Sequence, residues 1–391
     1  MGIMENKKII MLFNCPFLDS FIQKYCLDEI VKLNYELIVV DLSNVLERNY
    51  KNATKGTFGR NADFQILDLK NYSEVELFIK ENAKTALFLP MFDFIFSARK
   101  IFYYFTKYNV DYGYVNNLLS PLLTPESATN KILLKKYKLN PNYIRSALFH
   151  RVWRYVLPYK RADFMCFSGT KGEEFLLKEG ACKKNIRRIY LYAFDYENFL
   201  RQEGYQSNRE YCVFIDQFIP FHPDNVVHNN IHIDPAIYYD QVEKCLEAIK
   251  KKYDVDIIVA AHPQANYANI PYFKKYKIEY GKTAALVKNS KLVCTHFSTS
   301  IIMGVMGRKK IILLNVESLH EVKNWQNDFN RLHALFNCPV YCNENEILVS
   351  SNDCEFSEEI YEKCMSANFA RTEVNNKLLW ERVFDEIFIG E

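Results

Sequence analysis

The chain has 391 residues, of which 49% are hydrophobic and 25% charged, enough for two domains of about 150 to 200 residues with separate cores, which excludes a disordered protein. Its 50 basic and 47 acidic residues leave a net charge of +3, so no overall field favours nucleic acid, and no nucleic-acid motif is present. The 11 cysteines form no CxxC pair and several lie in apolar runs, pointing to reduced thiols in a cytosolic protein; no apolar run is long enough to span a membrane.

The opening MGIMENKKIIMLFN places charge ahead of a short apolar run with no small-residue cleavage site after it, and reads as a strand rather than a signal peptide. A periodic segment from Asp19 to Leu33 predicts a helix. Strands at YELIVVDLS and NADFQILDL, a helix from Ser73 to Asn82 and a strand at TALFLP follow. An amphipathic segment runs to Tyr108, then come a strand at VDYGYVNN and an irregular helical region from about Glu126 to Val156. RADFMCFSG, TKGEEFLLKEG and NIRRIYLYAFDYENFL read as strand, helix, then strand and exit, with Gly180 closing the helix.

The polar stretch RQEGYQSNRE, residues 201–210, separates that exit from a fresh strand at YCVFID and marks a boundary between domains 1–205 and 206–391. The second series continues with PAIYYDQVEKCLEAIKKKY, a helix with Pro at its first turn, lysines at its end and Ile237, Val242, Leu246 and Ile249 at helical spacing. Next come strands at VDIIVAAHP and YKIEYG, a helix at KTAALVKNS, a strand at KLVCTHFS, a helix at TSIIMGVMG and a strand at KKIILLN. The residues from about Glu358 read as helices, of which NKLLWERVFDEIF can pack back onto the first domain. Alternation of this kind predicts an α/β protein with two Rossmann-like, doubly wound domains, ligands lying at the carboxyl ends of the strands in a cleft between them.

Three features of the second domain fall at strand ends: Asp216 after CVFI, His262-Pro263 after DIIVAA, and Ser298-Thr299-Ser300 before IIMGVMG. The hydroxyls and free N–H groups of the Ser-Thr-Ser stretch suit a phosphate, although Ser and Thr serve equally as helix caps. His262 can donate to a phosphate or a leaving oxygen, and Asp216 can take a proton or attack a sugar carbon. A strand-terminal Asp also reads as an ordinary turn residue.

The order of these motifs resembles that of bacterial sialyltransferases and Kdo transferases, GT-B glycosyltransferases that use CMP-activated acidic keto-sugars in capsule and lipopolysaccharide assembly. In those families an HP motif contacts the CMP phosphate and assists its departure, and a Ser/Thr motif at a later helix start binds the phosphate. The resemblance carries these roles to His262 and Pro263, and to Ser298, Thr299 and Ser300. It implies a CMP-sugar donor of the sialic, pseudaminic, legionaminic or Kdo type, a glycan or lipid-linked glycan acceptor held by the first domain, and no metal. The acidic-acidic-Gly motif that holds the sialyltransferase base is missing from the first domain, where Asp19 and Asp93 are the nearest substitutes. Asp216, ahead of HP, is more like the Kdo transferases. As a base it gives inversion, as a nucleophile retention.

The segment with His222, Asp224, His228, His232 and Asp234 suggests a metal at first sight, but its prolines predict an irregular loop without metal-ligand spacing. His228 and His232 are candidates for contacting sugar or acceptor hydroxyls, with Asp224 a reserve carboxylate. His222-Pro223 copies the HP dipeptide but sits one strand too early for the donor motif. Residues 131–161 hold nine Lys or Arg and no acid, interleaved with aromatics, and fit either an anionic membrane surface or a solvated basic face. Teichoic-acid polymerases, which transfer polyol phosphate from CDP donors, share the motif order, and a non-catalytic scaffold of the same fold is a third reading.

Overall fold

The computed structural model describes residues 8–46, 62–92, 97–115, 159–168, 186–222, 233–298, 300–322, 325–343, 345–348, 357–368 and 377–389. They divide into two compact units, the first taking residues up to Phe194 together with those from Ala367 onward, the second taking Asp195–Ser366.

In the first unit, β1 (Lys8–Phe13), β2 (Glu36–Asp41), β3 (Gln65–Asp68) and β4 (Leu87–Pro90) form a parallel sheet of order β3-β2-β1-β4. A second parallel set, β5 (Gly113–Tyr114), β6 (Phe164–Phe167) and β7 (Arg187–Tyr190), continues from it through one bridge between Phe88 and Tyr112. Ile9 to Phe13 are all buried, as expected of a strand covered on both faces. Ile9, Met11 and Phe13 enter one core with Phe17, Tyr25 and Trp380, while Ile10 and Leu12 enter the other with Phe88 and Phe102. The period of two along one strand thus feeds two hydrophobic layers.

The segment from Asp19 to Leu33 is not one helix. It forms Ser20–Lys24 and Leu27–Lys32, with Cys26 between them in the left-handed region at φ 53°. The Tyr25 carbonyl accepts instead from the Trp380 indole N–H at 2.8 Å. Trp380 belongs to the helix Leu379–Phe384, whose Leu379, Val383 and Phe384 are also buried in this core.

The second unit holds β8 (Tyr211–Ile215), β9 (Asp256–Ala261), β10 (Lys277–Tyr280), β11 (Leu292–Thr295), β12 (Lys310–Leu314), β13 (Val340–Cys342) and β14 (Asn345–Leu348), ordered β10-β9-β8-β11-β12-β13-β14. All pair in parallel except the closing β13–β14 pair. The helix Pro235–Tyr253 starts on Asp234, whose Oδ1 accepts from the N–H groups of Ala236 and Ile237. Val242, Leu246 and Ile249 face the core, but Ile237 is 53% exposed, and Tyr238, Tyr239 and Cys245 are buried in its place. Tyr238 and Tyr239 lie four and three positions before Val242, so they share its face; Ile237 has turned past it.

The polar stretch 201–210 is fastened to the second unit, where Tyr205 N donates to the Ala285 carbonyl and the Tyr205 hydroxyl to Glu279. Gly204 lies so close to Asn289 that a Cβ would come within 2.3 Å of its Oδ1. The two units therefore part before this stretch, between Phe194 and Asp195.

Trp380→Ala removes a fully buried indole and leaves the Tyr25 carbonyl without its donor. It should cost about 3–5 kcal/mol, read as a lower denaturant midpoint of the first unit; an unchanged midpoint would show that the helix contributes no core.

Candidate functional site

The carboxyl ends of β9, β8 and β11 are neighbours at the centre of the second sheet. Strand order reverses here, since β8 leads to β9 and β10 on one side while β11 and β12 lie on the other. Open α/β sheets take their ligands at such a switch point.

Asp216 follows β8, and its N–H donates to the Ala260 carbonyl of β9 at 3.1 Å. Its side chain is buried. Oδ1 accepts from Phe218 N at 2.9 Å; Oδ2 accepts from the Tyr267 hydroxyl at 2.8 Å and, more weakly, from His262 N at 3.4 Å. Burial raises its pKa, opposed by these hydrogen bonds. Because Tyr267 gives its proton to Asp216, Tyr239 donates to the Tyr267 oxygen, 3.3 Å away. A base or nucleophile needs a carboxylate face open to substrate, and Asp216 is only 3% exposed with both oxygens occupied. The carboxylate thereby ties the end of β8 to the loop that carries His262.

The next residue reaches the other way: Gln217 Nε2 donates to the Phe297 carbonyl at 2.5 Å, beyond β11. Thr295 Oγ1 adds a bond to the Ile215 carbonyl. Asp216 and Gln217 together fasten the end of β8 to both neighbouring loops.

His262 is half-buried in a turn closed by the bond from Ala265 N to its own carbonyl. Its Nδ1 accepts from Gln264 N at 3.3 Å, which puts the imidazole proton of the neutral ring on Nε2. Pro263 is exposed beside it. Ser298 Oγ accepts from Ser300 N at 3.2 Å and its carbonyl accepts from Ile301 N, while the side chain of Ser300 caps nothing. Ser298 and Ser300 thus follow β11, and Ser298 already serves part of its own turn. Thr299 lies outside the described residues, as do Asp93, Asp224, His228 and His232. Asp19 is exposed at the start of Ser20–Lys24, after β1 of the first unit.

Sequence reasoning missed two groups. His222, set aside as one strand too early, packs edge-on against His262 with ring centroids 4.9 Å apart. His296 is fully buried, its Nδ1–H donating to the Leu314 carbonyl at 2.8 Å and its Nε2 accepting from the Tyr238 hydroxyl at 3.0 Å. Burial lowers its pKa to about 4. Its position two residues before Ser298 was the available signal.

Among the described residues there is no group of three potential metal ligands and no helix long and apolar enough to cross a membrane. Of the basic stretch 131–161 only Tyr159 to Arg161 are described; Lys160 pairs with Asp111 at 2.8 Å and Asp163 at 3.3 Å, within the first unit.

No family model and no curated protein matches the chain. Among solved structures it is similar to a Listeria monocytogenes protein assigned as a UDP-N-acetylglucosamine 2-epimerase, at 11% identity and a TM-score of 0.50, covering 98% of this chain and 96% of that one. The UDP-GlcNAc 2-epimerase of Methanocaldococcus jannaschii matches at 14% identity and TM-score 0.47, covering 98% and 99%. The wall teichoic acid polymerase TagF matches at 11% and 0.49, covering 93% and 84%. The Listeria likeness concerns the fold alone, which is α/β of the GT-B type with two Rossmann-like units.

Tyr267→Phe takes a donor from Asp216 and the acceptor from Tyr239, and should cost the second unit about 1–3 kcal/mol in urea unfolding; a midpoint equal to wild type would mean the bond adds nothing. His296 gives a pH dependence. The unfolded imidazole takes its proton near the ordinary pKa of 6.5, the folded one only at about 4, so stability present above 6.5 is lost as pH falls through that window. Between pH 7 and pH 5 the loss should be on the order of 2 kcal/mol, and His296→Gln should flatten the profile. Parallel profiles for the two proteins would remove His296 as the cause.

Proposed function

We infer that this protein is a glycosyltransferase that moves an acidic keto-sugar, a nonulosonic acid or Kdo, from a CMP donor to a surface glycan or lipid-linked glycan. The observation that carries the reading is His262, held at the switch-point edge of the second unit with its Nδ1 occupied and its proton on Nε2. A neutral imidazole fixed in that tautomer is suited to donate to a phosphate oxygen. The GT-B fold and the order of Asp216, His262-Pro263 and Ser298 to Ser300 support the same reading.

In the transfer, an acceptor hydroxyl oxygen forms a bond to the anomeric carbon while the bond from that carbon to the phosphate oxygen breaks. The electron pair leaves with CMP, where the His262 N–H stabilises the charge that develops on the departing phosphate. Pro263 and the Ser298 loop border the phosphate. Asp216 keeps His262 in register, and the acceptor proton goes to a different carboxylate, with Asp19, Asp93 and Asp224 as the candidates. The mechanism asks for no metal, since hydrogen-bond donors do the work of a Lewis acid. The protein would work in the cytoplasm, with residues 131–161 meeting an anionic membrane surface where the acceptor is lipid-linked.

His262→Ala should lower CMP release roughly a hundredfold or more, with the melting temperature close to wild type; turnover within threefold of wild type would remove His262 from the chemistry. The same assay run with CMP-sialic acid, CMP-Kdo, CDP-glycerol and UDP-GlcNAc separates the donor classes. Turnover confined to CDP-glycerol would assign polyol-phosphate transfer, and epimerised UDP-GlcNAc would assign an epimerase.

A further inference from the structure

The turn that follows Asp216 is built rather than loose. Phe218 adopts the left-handed region at φ 52° with its N–H on Asp216, a 3₁₀ turn covers Ile219–Phe221, and His222 leaves it in an extended conformation. Aromatic contacts hold each side: Phe218 packs on Tyr267 with centroids 5.8 Å apart, and Phe221 stacks on Tyr239 at an interplanar angle of 23°. Those two tyrosines are the ones whose hydroxyls lead to Asp216. The same buried network therefore positions both histidines, His262 through its backbone N–H and His222 through its flanking rings.

The two imidazoles meet at 4.9 Å between centroids, inclined at 63°, at the ends of adjacent strands β8 and β9. Both are half-buried. Burial holds His222 below its ordinary pKa, so it is neutral near pH 7. Two neutral rings in contact can present two N–H donors to one anion without mutual charge repulsion.

We propose that His222 and His262 form a two-imidazole clamp on the phosphate of the activated donor, with His222 a second phosphate-contacting residue of the site. This rests on reading the strand-end edge as the donor site, and adds to it a residue from the turn after the neighbouring strand.

The test is calorimetric titration of the full chain with CMP, UMP, cytidine and inorganic phosphate. It compares wild type with His222→Phe, which keeps a ring against His262, and His222→Gln, which keeps an N–H donor. The Phe variant should bind CMP roughly tenfold to a hundredfold more weakly, the worth of one hydrogen bond to a charged group. Its affinity for cytidine, which lacks the phosphate, should not change, and the Gln variant should recover most of the loss. CMP binding by the Phe variant equal to wild type overturns the clamp and leaves the donor reading standing. So does a loss shared equally by cytidine and CMP, or a Phe variant tighter than Gln, since either marks a packing role. Wild-type preference for UMP with the same loss in the Phe variant supports the clamp and overturns the CMP assignment. Absence of any phosphate binding to wild type overturns both.

Discussion

The second unit depends on what happens in two residues after β8. Asp216 and Gln217 are consecutive, so their side chains leave the strand end in opposite directions, one toward the loop after β9 and the other toward the loop after β11. A parallel sheet has its ladder bonds only as far as the strands run; beyond them each loop is free to choose a conformation. These two side chains extend the fastening one step past the sheet, on both sides of the switch point. A buried carboxylate is costly unless it is hydrogen-bonded, and Tyr267, Phe218 and His262 supply the donors.

The first unit uses a related device. Asp41 ends β2 and is buried, with Oδ1 accepting from Ser43 N at 2.8 Å and Oδ2 from Phe17 N at 3.1 Å. It too joins a strand end to the loop of the neighbouring strand, since Phe17 follows β1. The difference lies in the donors. Asp41 relies on backbone N–H groups, whereas Asp216 adds a tyrosine hydroxyl backed by a second tyrosine, and so it organises side chains as well as backbone.

The alternation of apolar runs made both sheets legible, because strand and helix periods are local properties of the chain. The candidate edge was legible as well, since Asp216 and His262 close recognisable strands. What stayed hidden depended on distant partners. Asp216 looks the same in sequence whether it faces solvent or lies under Tyr267, which is 51 residues away. The break at Cys26 goes with an indole 355 residues from Tyr25. His222 comes one strand before His262 in chain order, yet β8 and β9 are hydrogen-bonded neighbours, so one strand earlier in sequence means adjacent in space. The exposed Ile237 shows a further limit, as a helical repeat fixes the spacing of a buried face and leaves open which apolar residue begins it.

The helix bearing Trp380 sets an order of assembly. The second unit is nearly continuous in sequence, whereas the core around Phe13, Phe17 and Tyr25 is completed by residues that come after it. On a ribosome, the first unit must therefore wait, with part of its apolar layer uncovered, until everything between has been made. The unit that begins second can finish folding before the one that begins first, and the period of greatest exposure to chaperones falls on the strands that emerge earliest.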